Sequence, residues 1–221
     1  METTVLLLLW GTVVGLDLVT VPQVMIARPL VAGTVAGAIL GDPTSGAVVG
    51  AVLELFALDV LPVGAVRYPD YGLGAVAAAA TVAGAPGSLG TGVGVAVGLV
   101  VAYLGQLGMG WTRRRNTIDV RRTRESLDRG DARSVRMIHL RGLGRDALRA
   151  AAISTVGLLL ARLVYLGFPL PLRTAVMLTV AVVGAGVGTA AVGAMRLSGR
   201  GIRLGWFTLG LLGGLAWVVA A

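Results

Sequence analysis

The sequence has no cysteine and no lysine, a single histidine (His139), and only four Trp, four Tyr and three Phe in 221 residues. Without cysteine there are neither disulfides nor thiolate metal sites. One histidine leaves no metal cluster and no nucleophile triad, and no glycine-rich loop has the spacing of a phosphate cradle. Catalytic residues, metals and cofactors are therefore not expected, and His139 reads as a structural residue at an interface. All 19 basic residues are arginine, a bias that reflects genome composition more than chemistry. Charge is scarce as well: only 14% of residues are Asp, Glu, Lys or Arg, well below the usual quarter of a soluble domain.

What remains is apolar. Hydrophobic residues make up 56% of the chain, mean hydropathy is +0.85 and 34 residues are glycine, which describes an all-α polytopic membrane protein. The first apolar run, residues 5–19, has no basic flank and no small-residue cleavage site, so it reads as a retained span. The pI of 11.3 would suggest nucleic acid in a soluble protein. Here the charge lies beside membrane segments, which makes topology its cause and leaves nucleic acid out.

Three regions divide a single membrane domain covering residues 1–221. Residues 1–111 are apolar and glycine-rich. Residues 112–149 hold twelve of the nineteen arginines, mixed with Asp119, Glu125, Asp128, Asp131 and Asp146. Residues 150–221 are apolar again, broken at 168–173 and 196–203. The positive-inside rule puts the arginine-rich connector in the cytoplasm. Spans at 150–167 and 174–195 then carry the chain out and back, returning Arg196, Arg200 and Arg203 to the cytoplasmic side, and a last span at 204–220 leads outward. Arg162, inside the first of these spans, reads as snorkelling to the outer interface. Alternating signs in the connector describe solvated or interfacial amphipathic helices whose arginines meet anionic lipid headgroups, with a partner-docking surface as the sharper alternative.

The first half departs from ordinary spans. Residues 29–41 are apolar but too few to cross a bilayer, and the turn Gly41-Asp42-Pro43-Thr44-Ser45-Gly46 follows them. Residues 73–83 form a second short segment, closed by Gly84-Ala85-Pro86-Gly87-Ser88. Short, glycine-broken apolar segments read as re-entrant helical hairpins, and such hairpins line transporter binding sites. The expected count is about six spanning helices plus these re-entrant segments. Gly33, Gly37 and Gly41 recur every four residues, as do Gly46, Gly50 and Glu54, so each set shares a helix face. Glu54 is thus directed into protein or a cavity rather than lipid, either as a ligand or as a structural acceptor of hydrogen bonds between packed helices. Ionisable groups in membrane segments are costly and tend to be used, so Glu54, Asp42, Asp70, Gln23 and Arg28 are suited to binding a polar substrate if they face one cavity. Arg28 serves equally to neutralise a neighbouring carboxylate. Asp42 in its Gly-Asp-Pro turn and Asp70 after Pro69 have an equally good reading as helix caps. Asp59 and Arg67, flanking Pro62 and Gly64, read as parts of a solvated loop.

The run Arg28-Pro29-Leu30-Val31, then Leu40-Gly41-Asp42 with Gly46 and Gly50, Leu53-Glu54, Gly64-Ala65 and Pro69-Asp70 resembles, collinearly, the membrane IIC component of mannose-type (mannose/fructose/sorbose) sugar phosphotransferase systems. Ile138-His139 adds a weaker likeness. The resemblance implies a permease subunit, not a stand-alone enzyme, in a bacterial inner membrane. It implies a IID membrane partner, soluble IIB and IIA phosphotransfer proteins, a hexose substrate and an oligomeric assembly. In that family the sugar site is built largely from re-entrant hairpins in a mobile core that moves against a scaffold. Relatives usually carry more polar residues ahead of the Arg-Pro pair, often a His directly before the Arg; here the segment is Pro22-Gln23-Val24-Met25-Ile26-Ala27, and Gln23 and Asp17 are the polar groups available on that side. A proton- or cation-coupled carrier and a non-transporting scaffold or regulator are the other classes open to this sequence.

Overall fold

The computed structural model describes residues 2–21, 23–59, 66–83, 89–167 and 171–195, with isolated positions at 205 and 209. Among these residues the secondary structure is entirely helical: α1 (Glu2–Asp17), α2 (Pro29–Ile39), α3 (Pro43–Ala57), α4 (Tyr71–Ala83), α5 (Leu89–Arg122), α6 (Arg124–Asp128), α7 (Ala132–Gly167) and α8 (Leu172–Met195). Three of them, α5, α7 and α8, are long and apolar enough to cross a bilayer. The turn at 84–88, most of the expected loop around Pro62 and Gly64, the arginine loop at 196–203 and nearly all of the expected last span at 204–220 lie outside the described residues.

Local sequence explains where the short helices start and stop. Pro29 and Pro43 each occupy the first turn of a helix, where a missing N–H costs nothing and the fixed φ suits the helix. Asp42 accepts a hydrogen bond from the Ser45 N–H at 2.9 Å and so caps α3. Between them α2 ends on Gly41 at φ +86°, with the Asp42 N–H bonded to the Gly37 carbonyl and the Gly41 N–H to the Ala38 carbonyl. This Schellman closure requires a left-handed residue, which glycine adopts without strain. At ~1.5 Å per residue α2, α3 and α4 reach only about 17, 23 and 20 Å, against a ~30 Å hydrocarbon core.

The α2–α3 hairpin is held by its two glycine faces. A Cβ placed on Gly33 would meet the Gly46 carbonyl oxygen at 2.7 Å, and one on Gly50 would meet the Pro29 carbonyl oxygen at 2.6 Å. The helices therefore touch backbone to backbone, as the four-residue glycine repeat predicts. The same device joins α4 to α5, where a Cβ on Gly98 would meet the Gly74 carbonyl at 2.8 Å. Helix α4 is the centre of the packing: every residue from Tyr71 to Ala79 is buried, and α1, α2, α3, α5 and α7 all pack on it. Large aliphatic side chains such as Leu107 and Leu148 instead lie exposed on the outside of the bundle, the inversion expected of a protein solvated by lipid.

The connector differs from a set of separate surface helices. Helix α5 runs 34 residues and α7 36 residues without interruption, about 50 Å each, so the charged segment continues these two helices beyond the apolar layer as an antiparallel hairpin with the short α6 at its tip. Arg145 locks the hairpin across its width, donating to Asn116 Oδ1 at 3.0 Å and to Asp119 Oδ2 at 2.5 Å. Alternating charge fits both arrangements; pairing between the two helices selects the projecting one. At the turn, Gly130 takes φ +73° and Asp131 caps α7 through the Arg133 and Ser134 N–H groups. The Ser134 hydroxyl, and then the Arg133 N–H, hold the Asp131 carboxyl below the usual carboxylate range. His139 and Arg162 are both exposed on α7.

If backbone contact between α2 and α3 holds the hairpin, Gly46→Val forces Gly33 and Gly37 away and costs on the order of 3 kcal/mol. Gly110→Ala, in α5 at a position where a Cβ meets nothing, leaves the melting temperature the same or slightly higher, since alanine favours the helix. Thermal unfolding of the two variants in one detergent checks both outcomes.

Candidate functional site

The expected binding residues gather mostly at the end of the bundle from which the charged hairpin leaves, but they do not line one cavity. Arg28 and Glu54 come together. Arg28 precedes Pro29 in an extended conformation, which a residue before proline favours. Its guanidinium forms an ion pair with Glu54 Oε1. Glu54 lies one turn beyond Gly50 on the glycine face, and its Oε2 accepts from the Leu30 N–H at 3.2 Å, so the carboxylate also satisfies an unpaired donor in the first turn of α2. Side-chain exposures of 32% for Arg28 and 18% for Glu54 leave this pair in contact with the outside.

Asp17 and Gln23 shape the strand of chain that leads to Arg28. The buried Asp17 carboxylate accepts from the Val24 N–H at 2.8 Å and the Ala27 N–H at 3.0 Å. Gln23 donates from Nε2 to the Leu18 carbonyl at 2.7 Å. Around this carboxylate the loop turns tightly enough to place Met25 at φ +67°, a conformation rare for a residue without a short polar side chain. Gly72 at the start of α4 lets the loop's Ala27 carbonyl approach, since a Cβ there would meet it at 2.6 Å.

Asp70 is fully buried and belongs to a network that sequence reading does not single out. Arg149, on α7 at the end of the charged segment, donates from Nη1 to Asp70 Oδ2 at 2.8 Å, from Nε to Asp146 Oδ1 at 2.6 Å and from Nη2 to the Gly15 carbonyl at 2.9 Å. Thr20 donates its hydroxyl to Asp146 Oδ2. Asp70 further accepts from the Leu73 N–H at 3.3 Å, and its own N–H bonds to the Ala102 carbonyl at 2.9 Å. Gly105 provides the room, because a Cβ there would sit 2.5 Å from Asp70 Cβ. The capping reading of Asp70 thus holds, with an ion pair added. The visible signal was local: Asp146 and Arg149, three apart at the edge of an apolar run, lie on one helix face. Nothing local identifies Asp70, 79 positions away, as their partner.

Asp42 stands apart from all of these. It lies at the opposite end of the eleven-residue α2 from Arg28, is exposed, and its carboxylate is engaged in capping α3. Asp59 is partly buried and Arg67 exposed. Of the six residues expected to bind, Arg28 and Glu54 form the one charged pair that is both assembled and accessible. Asp17, Gln23 and Asp70 build the frame around it, and Asp42 terminates the hairpin.

Comparison with known proteins gives concordant results. The profile of a family described as the sorbose-specific IIC component of the phosphotransferase system matches residues 1–195. The sorbose-specific EIIC component of Klebsiella pneumoniae is 34% identical over 124 residues, which is 56% of this chain and 46% of that protein. The fructose permease IIC component of Bacillus subtilis (strain 168) is 33% identical over 122 residues, 55% of this chain and 45% of that protein. The mannose-specific EIIC component of Escherichia coli (strain K12) is 31% identical over 124 residues, 56% of this chain and 46% of that protein. The aligned stretch thus spans about half the length of these relatives. Among solved structures, one described as a membrane protein superposes with a TM-score of 0.76 at 23% identity, covering 100% of this chain and 94% of that one. A cryo-EM structure of the mannose transporter ManYZ with microcin E492 superposes with a TM-score of 0.63 at 23% identity, covering 99% of this chain and 93% of the other. These two establish a shared fold.

Removing a buried frame carboxylate and an exposed cap has different consequences. Asp17→Ala strands the Val24 and Ala27 N–H groups and costs about 2–4 kcal/mol, whereas Asp42→Ala removes one exposed cap and costs clearly less. Paired thermal melts, with limited proteolysis reporting on the 18–28 loop, distinguish the two.

Proposed function

This chain belongs to the sorbose-specific IIC family of the sugar phosphotransferase system, and from that premise we propose that it is a sugar permease subunit of a bacterial inner membrane, working as a single membrane unit over residues 1–221. It takes a hexose from outside and hands it to soluble IIB and IIA phosphotransfer proteins, in assembly with a IID membrane subunit and as part of an oligomer. Phosphate chemistry takes place on those partners, so no catalytic residue is needed here. The α2–α3 hairpin and α4 act as re-entrant elements of the mobile core, their lengths of 11, 15 and 13 residues being too short to span.

One observation carries the reading: the Arg28–Glu54 pair is accessible at the mouth of the hairpin. A carboxylate and a guanidinium that neutralise each other suit a neutral polyol. Sugar hydroxyls donate to the carboxylate and accept from the guanidinium, replacing their mutual contact without leaving a charge unpaired. Glu54 is the leading ligand and Arg28 its partner. Gln23 adds an amide from the neighbouring loop, where it is exposed, while Asp17 and Asp70 hold the wall and Asp42 shapes the hairpin tip.

A second reading has its own support. Asp17, Asp42, Glu54 and Asp70 all have partners within the chain, which also suits a family member that keeps the architecture as a membrane scaffold without transport. Glu54→Gln keeps size and hydrogen-bonding capacity but removes the charge that draws hydroxyl donors. In the chain assembled with its membrane partner it lowers hexose affinity at least about tenfold, measured by equilibrium binding of labelled sugar. Unchanged affinity removes Glu54 from the site. Absence of any sugar binding by the intact assembly, without uptake driven by phosphoenolpyruvate, establishes the scaffold reading instead.

A further inference from the structure

A cavity of about 430 Å³ opens where α5 leaves the apolar layer, lined among others by Arg67, Tyr68, Gln106, Trp111, Arg113 and Arg114. Three guanidinium groups face it, and among the described residues no carboxylate lines it. Arg113 is fixed by donating from Nη1 to the Val66 carbonyl at 3.0 Å. Arg67 and Arg114 are exposed and, among the described residues, enter no ion pair. Elsewhere, the described arginines that are not exposed pair with acids: Arg28 with Glu54, Arg145 with Asp119, Arg149 with Asp70 and Asp146. A cavity that concentrates positive charge with no internal counter-ion is built for an anion. Guanidinium groups bind phosphate oxygens through paired N–H donors.

The surroundings choose the kind of phosphate. Val100, Tyr103, Leu107 and Trp111 follow one another at helical spacing on α5 and are 53%, 56%, 71% and 50% exposed. They form an outward apolar stripe along the depth of the bilayer, and its last two members, Leu107 and Trp111, stand in the wall of the cavity. Trp111 is at the level where indole rings favour the membrane–water interface, and Arg115 lies over its ring at 5.6 Å. The arginine-rich hairpin assigns this interface to the cytoplasmic leaflet, which is the one rich in anionic lipid. A soluble phosphate ester would use the arginines and gain nothing from the stripe. A phospholipid uses both, its headgroup among the arginines and its acyl chains along Val100, Tyr103 and Leu107.

From this arrangement we infer that the cavity is a binding site for the phosphate headgroup of an anionic phospholipid of the inner leaflet. The site is separate from the Arg28–Glu54 pair and stands independently of the sugar reading. The bound lipid neutralises the arginines at the base of α5 and fixes the depth at which the charged hairpin emerges.

Native mass spectrometry of the full chain tests this, with titration by phosphatidylglycerol and phosphatidylcholine. The expected result is preferential retention of phosphatidylglycerol, reduced about tenfold or more in Arg67→Gln/Arg114→Gln, with phosphatidylcholine binding unchanged and no displacement by millimolar glucose 6-phosphate. Both substitutions are at exposed positions, and an unchanged melting temperature confirms that the fold survives. Equal retention of the two lipids, or a preference indifferent to the two arginines, overturns the proposal. Arginine-dependent binding of glucose 6-phosphate without lipid preference overturns it in favour of a soluble ester. Loss of the preference when the chain is purified with its membrane partner overturns it by giving the face to that partner.

Discussion

The arrangement of the polar end depends on one buried cation. Arg149 sits on α7 with its side chain 2% exposed, and its guanidinium reaches α1 through the Gly15 carbonyl, the start of α4 through Asp70, and its own helix through Asp146. A charge taken this far from water is tolerated only when its donors are met, and the two acceptors outside α7 lie on segments that glycine allows close. A Cβ on Gly15 would meet Ala150 Cα at 3.4 Å, and Gly105 leaves the space that Asp70 fills. Geometry of this kind sets the register of α7 against α1 and α4, and with it the point at which the charged hairpin leaves the bundle.

Fixing that end of the bundle has consequences for the neighbouring charges. The loop between α1 and α2 starts at Asp17, two residues beyond Gly15, and returns to the Asp17 carboxylate before reaching Arg28. Its Thr20 contributes to the same network through Asp146. Asp17 and Asp70 are thereby committed to structure. Arg28 and Glu54 are left at the edge, paired with each other and still reachable, where a neutral polar ligand can exchange for their mutual contact. Charges in membrane segments thus divide between those that hold the frame and those that the frame presents.

Much of the hairpin was legible in the sequence because its determinants are local. Proline at a helix start, a Gly-Asp-Pro turn and glycines four apart each specify a boundary or a face within one or two turns, and the structure follows them closely. Direction was legible too: Glu54 does point into protein, though onto Arg28 and the Leu30 N–H rather than into a shared cavity with Asp42 and Asp70. The connector's helicity could be read, but not its continuity with α5 and α7, because alternating charge suits a helix lying on a membrane as well as one projecting from it. Arg149 was the least legible residue. It closes a list of twelve arginines in the charged segment, and its role comes from partners 79 and 134 positions away. The family likeness came from the run between Arg28 and Asp70, and the family profile matches residues 1–195.

A double-mutant cycle on Arg149→Met and Asp70→Asn tests this account most directly, read as unfolding free energies of the full chain in one detergent. The buried pair predicts that Arg149→Met alone costs about 3–5 kcal/mol by leaving carboxylates unpaired, and that the two changes are non-additive with a coupling of at least about 1.5 kcal/mol. Additivity within about 0.5 kcal/mol would contradict it, since Arg149 would then be joining nothing to Asp70.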